Sequence, residues 1–163
     1  MRFWPALILG LLCLSGAASG KAAGAQRNIL FLIADDVGPE LGCYGGWLRT
    51  PNLDRLAEEG TRFTHAFATV ASCSASRGVL LTGLYTHQNG QYGHAHPPSN
   101  FHTLETVRSL PKILKESGYR TGAMGKLHVA PPSVYPFDVE VPLSDVGTLA
   151  DKATQFFASS GEK

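Results

Sequence analysis

The sequence predicts an α/β fold built on an open, parallel sheet with too few strands to be complete. Three observations carry that expectation. Arg27 to Ile33 (R-N-I-L-F-L-I) is a continuous apolar run behind a polar lead-in, which suits a strand buried on both faces of a parallel sheet. Two capped helical segments, 50–60 and 109–118, alternate with short strand-like segments at 62–68 and 119–124. Only three strands can be counted in the 163-residue chain, which would leave the inner edge of such a sheet uncovered.

Met1 to Gly20 reads as a secretory signal peptide: one positive charge at Arg2, an apolar run from Ala6 to Leu14, and a small-residue exit at Ala18-Ser19-Gly20. The run is too short and wrongly flanked for a membrane span. Cys13 leaves with it, so the mature chain keeps Cys43 and Cys73, an even pair that invites a disulfide in an oxidising compartment. Composition is otherwise ordinary, 44% hydrophobic and 17% charged with a formal net charge of +1. That balance argues against a disordered tail and leaves no basic footprint for nucleic acid.

The first strand ends in Ala34-Asp35-Asp36-Val37-Gly38. Ligands of open α/β sheets gather at the carboxyl ends of strands. Two carboxylates about 4 Å apart there repel by roughly 4 kcal/mol in an effective dielectric near 20, a problem that a divalent cation removes. Adjacent residues of an extended strand point to opposite faces, so both reach one ion only if the chain bends, and Val37-Gly38 allows that. Oxygen ligands suit a hard cation, Ca2+ or Mg2+. The bland alternative is an aspartate capping the next turn beside a solvated partner.

Thr50 to Gly60 has Thr50 as N-cap, Pro51 at the first helical position and Gly60 as terminator, with Leu53, Leu56 and Ala57 as its buried stripe. Arg62 to Ala68 alternates as a strand that delivers the chain to Cys73, with His65 as a structural histidine. The stretch C-S-A-S-R-G-V-L-L-T-G follows. A cysteine at the start of a helix lies near unpaired N–H groups and the positive end of the helix dipole, and Arg77, one turn on, adds a fixed charge on the same face. Such a place holds an anion or a charged nucleophile; a disulfide with Cys43 or a buried thiol is the alternative.

Thr86 to Pro98 is a glycine- and histidine-rich loop, read first as substrate-lining and second as plain surface. Zinc on His87, His94 and His96 ranks last, because no closing ligand cluster is visible. Ser109 to Gly118 is a second capped helix, and Tyr119 to Met124 a short strand that ends in Gly125-Lys126-Leu127-His128. In an extended segment Lys126 and His128 face the same way, which suits an anion with a leaving group to protonate. The alternative is a surface lysine beside a packing histidine. Ala130 to Pro136 is a proline-rich connection, and Ser144 to Ser159 a last amphipathic helix with Val146, Leu149, Ala150, Ala153, Phe156 and Phe157 along one side.

Taken together, the Cys73 stretch and the preceding Ala34-Asp35-Asp36 resemble the signature of the sulfatase family, part of the alkaline phosphatase superfamily. The usual pattern is C-x-P-x-R, and this chain has Ala75 at the proline position. The stretches T-H-Q-N-G-Q-Y-G, V-R-S-L-P-K-I-L and G-K-L-H-V-A-P-P-S-V-Y-P-F-D resemble the sulfamidase subgroup. The resemblance implies an alkaline-phosphatase-like sheet and hydrolysis of sulfate esters or sulfamates, with a sulfated amino sugar as substrate. It implies Asp35 and Asp36 as calcium ligands, and Cys73, oxidised to formylglycine by a formylglycine-generating enzyme, as nucleophile and further ligand. Arg77 would hold the charge of the hydrated aldehyde, and Lys126 and His128 would bind sulfate oxygens and assist the leaving group. A secretory destination follows: periplasmic, extracellular, or lysosomal in a eukaryote. The family also uses an Asp-Asn pair from later in its chain, and no Asp-Asn dipeptide occurs here, so residues 27–163 read as the N-terminal portion of a sulfatase catalytic domain. Two alternatives remain: a phosphate or phosphonate hydrolase on the same fold, and an inactive secreted remnant with a Cys43–Cys73 disulfide.

Overall fold

The computed structural model describes residues 27–159. The expected signal peptide, 1–20, and the extreme C-terminus lie outside them. The chain divides into two units, Met1–Ala34 and Asp35–Lys163. In the first, the described residues 27–34 form no strand or helix, and Ile29, Leu30, Phe31 and Leu32 are 50–67% exposed. The expected buried strand is therefore not formed. An apolar run becomes a strand only when neighbours take up its N–H and C=O groups, and no described residue pairs with it in a ladder.

The second unit contains a 3-10 turn at Gly42–Tyr44 and five α-helices among the described residues: α1 Pro51–Glu59, α2 Cys73–Thr82, α3 Thr86–Asn89, α4 Leu110–Glu116 and α5 Val146–Ala158. Helix α1 starts where Pro51 presets the helical φ. Thr50 holds the N-cap position without capping through its side chain. Its hydroxyl accepts from the Gly42 N–H at 3.0 Å and donates to Asp54 Oδ1 at 2.8 Å, tying the helix to the turn before it. The expected buried stripe stays open, with Leu53 40% and Leu56 60% exposed. Periodicity marks a face fit for burial, but burial needs a facing surface, and among the described residues none covers this one. The strand expected at 62–68 is likewise absent; Phe63 and Phe67 are exposed, and so is His65, whose ring bonds only the neighbouring Thr64 hydroxyl at 3.1 Å.

Helix α4 matches its sequence signals. The Ser109 side chain accepts from the Lys112 N–H, Pro lies in the first turn, and Gly118 follows the helix at φ 86. Helix α5 is capped by Asp145, whose carboxylate accepts from the Thr148 N–H at 2.9 Å. Its apolar side is only partly used: Phe156 lies against Gly122, whereas Val146 is 83% exposed.

The sheet is one parallel pair, β1 Gly122–Met124 with β2 Val139–Val141, in the register Gly122↔Val139, Ala123↔Glu140, Met124↔Val141. Parallel neighbours require a long crossover. Here that crossover is the stretch expected to be a mere proline-rich connection, and it forms the core. Val134 and Tyr135, each 1% exposed, pack with Leu81 of α2, and Leu127, Val129 and Phe137 close around them. Beneath it runs a buried polar chain. Asn89 Nδ2 donates to Leu84 O, Gln91 Nε2 donates to Gly93 O and Phe101 O, and the Thr103 hydroxyl meets the Tyr135 hydroxyl at 2.6 Å. These bonds fix the 90–103 loop against α2 and the crossover. The described structure is thus α/β, and no described helix is long and apolar enough to cross a membrane.

Candidate active site

The site is built on the first turn of α2. Ser72 is extended at the N-cap, so the helix starts on Cys73 itself, at the end where helical N–H groups lack intrahelical partners and the dipole is positive. Ser74 and Ala75 next to it are fully buried. Cys73 is half-buried and free, and Cys43 is free as well, so the disulfide alternative is not what this structure contains.

Arg77 is 6% exposed, and its stem occupies the buried face of α2. A buried guanidinium is tolerated where its N–H groups are taken up by acceptors, preferably charged ones. One of its Nη atoms donates to the Lys126 carbonyl at 2.5 Å, and the other lies 3.3 Å from Asp35 Oδ1. Lys126 Nζ donates to Asp35 Oδ2 at 2.6 Å. The Asp35 carboxylate thus sits between two cations. The Lys126 hydrogen bond, with Arg77 assisting and partial burial opposing, holds its pKa below the ordinary value. The same bond raises Lys126, and nearby Cys73 adds to the effect.

Asp36 turns the chain. Its φ is 54, in the left-handed region that aspartate tolerates better than most side chains, so the bend expected at Val37-Gly38 falls on the acidic residue itself. Asp35, Asp36 and Cys73 then present oxygen, oxygen and sulfur atoms all within 4.8 Å of one another. That spacing and donor set fit a hard dication once residue 73 offers oxygen in place of sulfur.

Lys126 and His128 leave β1 through Gly125 at φ 91 and His128 at φ 55, so the segment bends and is not the expected extension. Lys126 joins the carboxylate group, whereas His128 stacks with His96 at 5.1 Å and His94 at 5.7 Å between ring centroids. Burial, then the neighbouring Lys126 charge, then His96, His94 and Arg77, pushes the His128 pKa below the usual histidine value. His87, grouped with His94 and His96 in the sequence, lies apart from them and stacks on Tyr85.

The structure therefore brings Asp35, Asp36, Cys73, Arg77 and Lys126 into one group, with His128 beside it in a histidine stack. Sequence reasoning missed the buried amides of Asn89 and Gln91 that hold the loop, both fully buried. The signal available for them was the N-G-Q stretch itself, where Gly90 adopts φ 85 and frees Asn89 Oδ1 to accept from the Gln91 N–H at 2.8 Å.

Comparison with known proteins gives this geometry a context. The Sulfatase family matches residues 27–157. The human N-sulphoglucosamine sulphohydrolase is 49% identical over 120 residues, covering 73% of this chain and 24% of that protein. The N-acetylglucosamine-6-O-sulfatase of Bacteroides thetaiotaomicron is 38% identical over 126 residues, covering 76% and 22%, and the mouse iduronate 2-sulfatase 41% identical over 131 residues, covering 74% and 22%. The chain spans about a quarter of the length of these relatives.

Proposed function

This chain belongs to the sulfatase family, and from that premise we propose that it carries part of a formylglycine-dependent site for hydrolysing sulfate esters or sulfamates, with a sulfated amino sugar as substrate. The supporting observation is the buried Arg77, which links the helix turn that begins at Cys73 to both Asp35 and the Lys126 backbone. The identity to a sulphoglucosamine sulphohydrolase favours an N-sulfated glucosamine. On this reading residues 27–163 are the N-terminal part of an alkaline-phosphatase-like, doubly wound catalytic domain. Residues 1–20 direct the chain into the secretory pathway, to a periplasmic, extracellular or lysosomal destination, where a formylglycine-generating enzyme has acted on it.

Each residue has a derivable task. Asp35, Asp36 and residue 73 would hold calcium, which when bound would supply positive charge to polarise a sulfate oxygen. Residue 73, as formylglycine, supplies the nucleophile for covalent catalysis. Arg77 is fixed at both ends of its guanidinium, so its charge reaches the nucleophile without reorganising. Lys126, kept protonated by Asp35, binds a sulfate oxygen. His128 gives a proton to the departing amine or alcohol.

The test is peptide mass spectrometry of the chain produced with a formylglycine-generating system. The Cys73 peptide is expected to lose about 18 Da, sulfur exchanged for oxygen with two hydrogens removed. Retention of an unmodified thiol, or a Cys43–Cys73 bridge, would overturn the proposal. Parallel assays on sulfate, sulfamate and phosphate esters of the same alcohol or amine separate a sulfatase from a phosphate or phosphonate hydrolase.

A further inference from the structure

The histidine stack combines two distant stretches of chain. His94 and His96 lie in the loop after α3, and His128 in the crossover between β1 and β2. The three rings are nearly parallel, 3–19° apart, with centroids 4.9–5.7 Å from one another. The loop is pinned from several sides. The Ala95 N–H donates to Ser74 Oγ at 3.1 Å, the Phe101 N–H to His94 O at 2.9 Å, and the Asn100 N–H to His96 O at 3.0 Å. The histidines therefore meet on a built scaffold and not at a loose tip.

Their chemistry is that of a donor set. No carboxylate is hydrogen-bonded to any of the three among the described residues. His96 Nδ1 lies 2.8 Å from the Pro97 carbonyl, which can only accept, so that nitrogen carries the proton and Nε2 keeps its lone pair. The Nδ1 atoms of His94 and His128 are shut off from solvent and have no hydrogen-bond partner. Two such orphaned nitrogens are costly unless something else satisfies them. One ring nitrogen from each histidine lies within 4.8 Å of the other two.

We propose that His94, His96 and His128 form a binding site for a borderline transition-metal dication of the zinc class, with a fourth position open to solvent or an anion. Three imidazoles select Zn2+, Co2+, Ni2+ or Cu2+ and reject Ca2+, the opposite preference to the oxygen-rich group at Asp35 and Asp36. Bonds of about 2.0–2.1 Å require the nitrogens to close to roughly 3.4 Å, and the exposed His96 is the ring with room to move. Occupancy would remove His128 from proton transfer. That consequence, unlike the site itself, rests on the proposed hydrolase activity: the metal would act there as an inhibitor.

The experiment titrates the whole chain with Co2+ and reads its visible absorption, followed by Zn2+ and Ca2+ in competition. A saturable cobalt spectrum displaced by Zn2+ but not by Ca2+ is expected. His96→Ala should weaken binding by about tenfold or more, while His87→Ala, outside the stack, should leave it unchanged. Cys73→Ser should also leave it unchanged. Loss of the cobalt signal in Cys73→Ser, displacement by Ca2+, or equal affinity in His96→Ala would each place the metal elsewhere and overturn the proposal. None of these readouts depends on hydrolase activity, so a failed proposal here is distinguishable from a failed sulfatase assignment.

Discussion

Asp138→Asn is expected to destabilise the strand pair from which Lys126 and His128 emerge. Asp138 Oδ2 accepts from the Thr121 N–H at 2.9 Å and the Thr121 hydroxyl at 3.0 Å, and its own N–H donates to Thr121 O at 3.0 Å. Lys115 Nζ stands 2.5 Å from Oδ1, so α4 is fastened to the same point. The lysine hydrogen bond first and the Thr121 N–H second pull the carboxyl from its ordinary 3.8 to about 2. Felt in full, that difference is about 2.4 kcal/mol of stability at neutral pH. The carboxyl is 29% exposed, and solvent screening reduces the figure to about 1–2 kcal/mol. The folded-state pKa is the lower one, so the contribution is complete above 3.8 and is lost as the pH falls from there towards about 2. Asparagine keeps an acceptor for Thr121 but no charge for Lys115. Urea unfolding followed by circular dichroism should show the variant about 1–2 kcal/mol less stable at neutral pH, with most of the gap closed near the acid end of that window. A gap that stays constant with pH, or none at neutral pH, would refute the electrostatic reasoning.

Three further outcomes are expected from the same structure. Arg77→Ala removes a charged donor from the Lys126 carbonyl and should lower stability by about 1.5–3 kcal/mol, read from denaturant midpoints at constant slope; in an active enzyme it should lower the rate roughly 10²–10³-fold. Gln91→Leu strips the Gly93 and Phe101 carbonyls and the Thr103 hydroxyl of a buried partner, so a loss of about 2–4 kcal/mol is expected, with faster amide exchange at the loop N–H groups of Phe101 and Leu104. Asp36→Gly should leave stability within about 1 kcal/mol, because glycine's ease at φ 54 offsets its greater chain entropy. If the proposed calcium site forms, its affinity, measured by calorimetry, should nevertheless fall by about tenfold or more.

Much of the site was legible in the sequence because its parts are local. Ser109 with Pro111 and Gly118 predicts α4, and the Cys73–Arg77 spacing predicts one helical face, since both depend on neighbours within a turn. The adjacent carboxylates at 35 and 36 pointed to a cation only together with the Cys73 stretch, and the fold brings all three within 4.8 Å of one another. The apolar run at 29–32, the stripe at Leu53 and Leu56 and the alternation at 62–68 were also legible as surfaces fit for burial, but what covers a surface is not written in it, and here they stand open.

Sequence by itself singled out the residues proposed to carry the chemistry: a cysteine at a helix start, an arginine one turn on, paired aspartates, and a lysine and histidine two apart. Tertiary structure decided how they combine. It gave Lys126 to Asp35 and His128 to His94 and His96, because the backbone turns left-handed at Gly125 and His128 where an extended strand was expected. It also made a proline-rich connection the core, because Val134 and Tyr135 found Leu81 across the crossover. Those pairings join residues about 30 to 90 positions apart, and contacts at that range depend on how the whole chain packs, not on any local preference.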